Sequence, residues 1–159
     1  MTWAVVRIRG KVHSSGPVAS TFQMLRLTRQ NHCVLIPESP DYKGMVIKVQ
    51  NFVTWGEVSP EVLAKLLLKR GRAESNAEVN DAFIKANSKF KSVWDFAQAV
   101  TKGEATMKDV KGLKPVLRLH PPQGGFVATK RPYKDHGDLG YRGPFINELL
   151  EAMVYEEAP

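Results

Sequence analysis

Residues 3–9, Trp-Ala-Val-Val-Arg-Ile-Arg, alternate in polarity and size with a period of two. Ala4, Val6 and Ile8 fall on one face of the strand this predicts, and Trp3, Val5, Arg7 and Arg9 on the other. The period then changes. After a loop from Gly10 to Gly16, with Ser15 or Gly16 as cap and Pro17 in the first turn, Val18, Phe22 and Leu25 stand at i, i+4 and i+7, the stripe of a helix with one buried side. Arg26 and Arg29 fall in or near its last turn, where they complement the negative end of the helix dipole and are placed to reach a phosphate. Residues 31–36 predict a second strand closed by Pro37. Ser39-Pro40 is a start signal for a helix to about Val49. Its buried side is Tyr42, Met45, Val46 and Val49, with Lys43 and Lys48 left at the rim. Gly44 inside that helix costs about 1 kcal/mol relative to Ala, which suggests close approach by another element or a ligand. Residues 52–58 predict a third strand.

The expected fold class is therefore α+β: a two-layer β-α-β-α-β sandwich of ferredoxin-like flavour, two helices on one face of a three-stranded sheet. Ser59-Pro60 then repeats the cap-then-proline signal, and the helix it starts ends at Lys69, Arg70 and Gly71. Helices are expected at 77–87 and 92–102, the second capped by Ser92 and stopped by Gly103. Together they form a helical appendage packed beside the sandwich, too small to be clearly independent. A strand at 116–120 leads into an irregular, basic arm, 120–143, and an amphipathic helix, 145–154. The expected organisation is a core at 1–58, a helical extension at 59–112, and a strand, arm and terminal helix at 113–159.

Charge narrows the partner. Of 159 residues, 23 are Lys or Arg and 16 are Asp or Glu, a net charge of +7. That favours polyanions, nucleic acid before an anionic membrane, although many mildly basic proteins bind neither. The last dozen residues hold four acids, Glu148, Glu151, Glu156 and Glu157, so without that tail the final third is basic too. The one cysteine, Cys33, rules out an internal disulfide and a Cys-rich zinc site and fits a reducing compartment. No apolar run approaches the roughly 20 residues of a membrane span, and charges in the N-terminal stretch break up any signal-peptide core. The expectation is a soluble, cytoplasmic protein.

The arm holds the richest candidate chemistry. Lys130, Arg131, Lys134 and Arg142 alternate with Phe126, Tyr133 and Tyr141, among Gly124, Gly125, Gly137, Gly140 and Gly143. Cations neutralise phosphates, aromatic faces stack on unpaired bases, and glycines let backbone come close to a sugar-phosphate surface. The bland alternative is a surface loop whose aromatics fold back on the core. Arg7, Arg9 and Lys11 form a basic spur, or a solvated strand end. Arg26, Arg29, Lys43 and Lys48 count together rather than singly, since solvation is the commoner fate of each. In Asn31-His32-Cys33, alternation puts His32 and Cys33 on opposite faces, so they form no dyad and share no metal; Cys33 is expected in the core and His32 outward, towards phosphate or base. The remaining histidines lack ligand spacing. The run 137–143 lacks the Gly-Lys-Ser/Thr of a phosphate loop, and no catalytic motif appears. Neither a catalytic residue, a cofactor, a metal nor a small-molecule substrate is expected.

Several spaced pieces, in one order, resemble a single family: Leu25-Arg26-Leu27, Asn31-His32-Cys33-Val34, Ser39-Pro40, Gly44-Met45, Lys48-Val49 and Val53-Thr54-Trp55-Gly56-Glu57-Val58. To these add Pro122, Gly124-Gly125, the 130–134 stretch and Ile146-Asn147-Glu148-Leu149. The pattern is similar to the large-subunit ribosomal protein L-thirty family in its long, archaeal and eukaryotic form, over nearly the whole chain and least at 72–110. The resemblance implies a non-catalytic protein of the ribosome that binds large-subunit ribosomal RNA beside neighbouring ribosomal proteins. The other class considered is a small α+β nucleotide-binding enzyme using the Gly-rich arm; extra-ribosomal RNA binding is a third.

Overall fold

The computed structural model describes residues 2–10 and 15–154. The expected elements appear in order: β1 (Thr2–Arg7), α1 (Gly16–Leu25), β2 (His32–Pro37), α2 (Pro40–Lys48), β3 (Val53–Glu57) and α3 (Pro60–Arg70). Then follow α4 (Asp81–Asn87), α5 (Val93–Lys102), β4 (Val116–Arg118), β5 (Gly140–Tyr141) and α6 (Ile146–Met153). Three cap signals act as local chemistry demands, while Ser15 stands at the cap of α1 with no side-chain bond to the helix. The side chains of Ser39, Ser59 and Ser92 accept hydrogen bonds from the amides of Tyr42, Val62 and Asp95, satisfying donors that the first helical turn leaves free. Gly103 ends α5 in the left-handed region, φ 83°. The helix expected over 77–87 starts late, because Arg72 and Glu78 pair as a short bridge and Asn80 is the cap.

The sheet order is β4-β2-β1-β3-β5, antiparallel except for β3 with β5. Strand β1 lies in the middle and is buried along its length. Alternation along it separates two cores. Trp3 and Val5 join Phe22, Leu25 and Leu27 of the α1 region and Val46 and Val49 of the α2 region. Ala4, Val6 and Cys33 pack against Leu63, Leu66 and Leu67 of α3, Phe96 and Val100 of α5, and Leu150 and Met153 of α6. The fold is α+β, as the pattern implied. The helices after Ser59 do more than sit beside the sandwich, however: they cover the second face of the sheet, which is why both faces of β1 are apolar.

One local expectation is corrected in part, the close approach of another element to Gly44. A side chain added at Gly44 would meet nothing within 4 Å, so no described part of the chain explains that glycine. Close approach occurs instead at Gly56 on β3, where an added Cβ would stand 2.0 Å from the Gly143 carbonyl oxygen.

Cys33 is fully buried, and desolvation pushes its thiol up to about 12. The thiolate is the reactive form, so the native protein is expected to resist a thiol reagent at pH 8 and to react fully once denaturant is added. Rapid labelling without denaturant would contradict this packing.

Candidate nucleic-acid interface

The β-register gathers a set of cations at one end of the sheet. His32 opens β2 and pairs with Arg118, the last residue of β4. Directly opposed residues of an antiparallel pair share a face, so both lie on the side of α1 and α2. Arg7 ends β1 on the same face, stacked with its guanidinium carbon 3.9 Å from the Phe22 ring centroid. Its carbonyl accepts from the Asn31 amide at 2.8 Å, and the Asn31 carbonyl accepts from the Leu119 amide at 3.0 Å. The turn 28–31 is thereby tied across three strands, and Arg29 stands exposed on it. Arg9 lies just past β1. The amides of Ile8 and Arg9 both donate to the Phe52 carbonyl, and Arg9 Nη1 donates to the Asn51 carbonyl at 3.3 Å. That fixes the α2–β3 turn, and with it the exposed Lys48 at the end of α2, to the same end of the sheet. An open hollow of about 500 Å³ lies there, lined by Arg7, Gly10, Thr28, Arg29, Gln30 and Asn31.

His32 is held below its ordinary value of 6.5, first by burial and then by Arg118, Arg29 and Arg7. In the free protein, stability should fall as pH drops below 6.5, because the unfolded chain then binds the proton more readily. Its Nδ1 is buried with no hydrogen-bond partner among the described residues. The Lys65–Glu151 and Arg142–Asp138 ion pairs both lie elsewhere.

The arm is tied at both ends to this region. It departs beside Leu119, whose amide bonds Asn31, and returns where Gly140 pairs with Thr54. Lys130, Arg131 and Lys134 are exposed on it. Its aromatics are ordered. Tyr133 lies 6.2 Å from Phe145 with Arg142 stacked 4.9 Å from its centroid, and Tyr141 lies 6.2 Å from Trp55. The Tyr141 hydroxyl donates to Glu57, which pushes the phenol up to about 12.

Two candidates change role. Arg7 is 2% exposed, with Nη1 donating to the Leu27 carbonyl at 2.7 Å and Nε to the Arg9 carbonyl at 2.9 Å. Arg142 is 8% exposed and bonded to Thr54 and Asp138. Both guanidiniums are buried and hydrogen-bonded inside the protein, which leaves Arg7 and Arg142 little surface for a phosphate and gives each a structural contact instead. Lys11 lies outside the described residues. Arg26, in the left-handed region at the end of α1, lines a separate cavity of about 270 Å³ against β2, and Lys43 is exposed on α2, as Lys48 is. Arg118 and the half-exposed Phe145 were missed. Arg118 had a signal, since it alternates with the buried Leu117 and Leu119. Among the described residues no cluster of His, Cys, Asp or Glu is placed to hold a metal, and no helix is long and apolar enough to cross a membrane.

Residues 3–53 match the family described as ribosomal protein L30p/L7e. Over longer spans the chain is 46% identical to large ribosomal subunit protein uL30 of Methanocorpusculum labreanum, across 95% of this chain and 99% of that one. It is 45% identical to the protein of the same name from Methanosphaera stadtmanae, across 96% and 99%. With that from Methanopyrus kandleri it shares 45% across 92% of this chain and all of the relative. Identity at this level over whole chains spans the core, the helical layer and the arm alike, and the chain belongs to the ribosomal protein L30p/L7e family.

Proposed function

We propose that the protein is a structural, non-catalytic constituent of the large ribosomal subunit, where it binds and stabilises ribosomal RNA. The observation that carries this is the near-full-length identity to proteins named as that subunit's components. The geometry supports it: Arg9, Arg29, His32, Lys48 and Arg118 gather at one end of the sheet, and Lys130, Arg131 and Lys134 are held on an arm anchored there. Arg26 and Lys43 extend the basic surface, while Tyr133, Tyr141 and Phe145 offer aromatic faces. The mechanism is neutralisation of packed phosphates plus fit to shape, with little reading of bases. Its partners are large-subunit ribosomal RNA and neighbouring large-subunit proteins, and its place is the cytoplasmic ribosome. Within it the segments 1–58, 59–112 and 113–159 serve as core, brace and arm. The relatives give the nucleotide-binding alternative no support.

The protein is expected to co-sediment with large subunits on a gradient at moderate salt. Remaining at the top of the gradient while turning over a nucleotide would overturn the reading. Replacing Lys130, Arg131 and Lys134 together by alanine should flatten the dependence of log K on log salt, by about 1 for each phosphate that is no longer neutralised, and leave the melting temperature almost unchanged. An unaltered slope would remove the arm cations from the interface.

A further inference from the structure

The sheet end holds an arrangement that is unfavourable in the free protein. Arg118 from β4, Arg29 from the 28–31 turn and Arg7 from β1 all act on the His32 imidazole, and all are cations. Like charges brought together on a folded surface repel unless an anion offsets them. The imidazole also keeps a buried nitrogen, Nδ1, with no hydrogen-bond partner among the described residues. Arg7 is 2% exposed, with Nη1 held by the Leu27 carbonyl and Nε by the Arg9 carbonyl, so it contributes mainly its field. Arg29 and Arg118 have exposed side chains, and the hollow that Arg29 lines is open to solvent.

We propose that this end of the sheet is a seat for one phosphate group of an RNA backbone, held by Arg29 and Arg118, with His32 as a third donor that charges as the phosphate arrives. The proposal rests on the RNA-binding reading above and gives it a specific, pH-sensitive contact. A seated phosphate replaces the repulsion that keeps the imidazole neutral with an attraction that favours the imidazolium. Binding therefore takes up a proton. The sign follows from linkage: affinity is flat where His32 is neutral both free and bound, and tightens as pH falls into the window between the two titration midpoints. A midpoint that rises by about one pH unit gives at most about a tenfold tightening. Among the described residues, the charged groups that act on His32 are Arg118, Arg29 and Arg7.

The test is an NMR titration of the His32 ring in the full chain, alone and with a short A-form RNA duplex at micromolar concentration. Parallel arms use inorganic phosphate at the same concentration and chloride at matched ionic strength. A raised His32 midpoint with the duplex, and not in the other two arms, supports the seat. His32→Gln should bind the duplex as wild type does at pH 8 and lose the tightening towards pH 5.5. Arg29→Gln, a change at an exposed side chain that leaves folding intact, should flatten the salt dependence and reduce the rise in the midpoint. A rise with inorganic phosphate equal to that with the duplex makes this a free-anion site and overturns the backbone assignment. Tight duplex binding with an unmoved His32 midpoint overturns the seat and leaves the RNA-binding reading standing. Failure to bind either the duplex or large subunits overturns that reading itself.

Discussion

Arg142→Ala is expected to destabilise the protein by about 3 to 5 kcal/mol, the range found when one member of a buried charge pair is removed. Arg142 and Asp138 are each 7% exposed in their side chains, with Nη2 and Oδ1 3.5 Å apart. The guanidinium joins three parts of the structure at once. Its Nε donates to the Thr54 hydroxyl at 2.8 Å, and that hydroxyl donates onward to the Gly140 carbonyl at 2.8 Å. Its Nη2 donates to the Asp138 carbonyl at 2.8 Å, while Asp138 Oδ2 accepts from the Ala128 amide at 2.7 Å. Burial lowers the Arg142 pKa and Asp138 opposes that. Removing the cation strands the carboxylate in a dry site and releases the ring of Tyr133. For a chain of this length the melting temperature should fall by on the order of 10 °C. Arg142→Lys should recover only part of the loss, because an ammonium cannot reach Thr54 and Asp138 with one planar fork. The paired change Arg142→Met with Asp138→Asn should cost less than Arg142→Ala alone, since no charge is left unpaired. A single-mutant loss below about 1 kcal/mol would show that the arm is not pinned this way.

The contrast between Arg142 and Arg29 shows where sequence reasoning stops. Both are arginines in polar, irregular stretches, and composition treats them alike. One is buried because Thr54, 88 positions away, meets it together with Asp138 and Tyr133 of its own arm; the other stays in solvent. Arg7 differs from Arg9 for the same reason: alternation put both on one face of β1, but only Arg7 falls beneath Phe22. Local chemistry was readable wherever it is local, as with Ser39, Ser59 and Ser92, or the opposite faces of His32 and Cys33. The double covering of the sheet was half visible. The alternation of Trp3 and Val5 with Ala4 and Val6 is apolar on both sides, and a strand of that kind needs a helical layer on each face. The pairing of His32 with Arg118 joins residues 86 positions apart, and no local pattern specifies it.

Glycine substitutions should show the same distinction between local and tertiary causes with opposite signs. At Gly56, a β-carbon would stand 2.0 Å from the Gly143 carbonyl oxygen, 2.9 Å from its carbon and 3.0 Å from Ile146 Cβ. Two of these neighbours are backbone and cannot rotate away. Gly56→Ala must push β3 from the 3₁₀ turn at Gly143–Phe145 and from the start of α6, and is expected to cost about 3 kcal/mol, the upper end of overpacking. The strain falls on the junction that Asn147 otherwise closes, with its Oδ1 accepting from the Ser59 amide and its Nδ2 donating to the Glu57 and Pro144 carbonyls. The Arg142 amide, bonded to the Trp55 carbonyl at 3.0 Å, should therefore exchange faster with solvent than in the wild type. Gly44→Ala should do the reverse. It lies inside α2 with nothing within 4 Å of the added carbon, so relief of glycine's backbone entropy should stabilise the helix by about 1 kcal/mol. Urea denaturation of the two variants measures both effects. Destabilisation at both positions would mean that glycine is needed at Gly44 by the chain itself. Opposite signs would place the reason for Gly44 outside the chain, on the exposed surface between Lys43 and Lys48 where a phosphate backbone has room to come close.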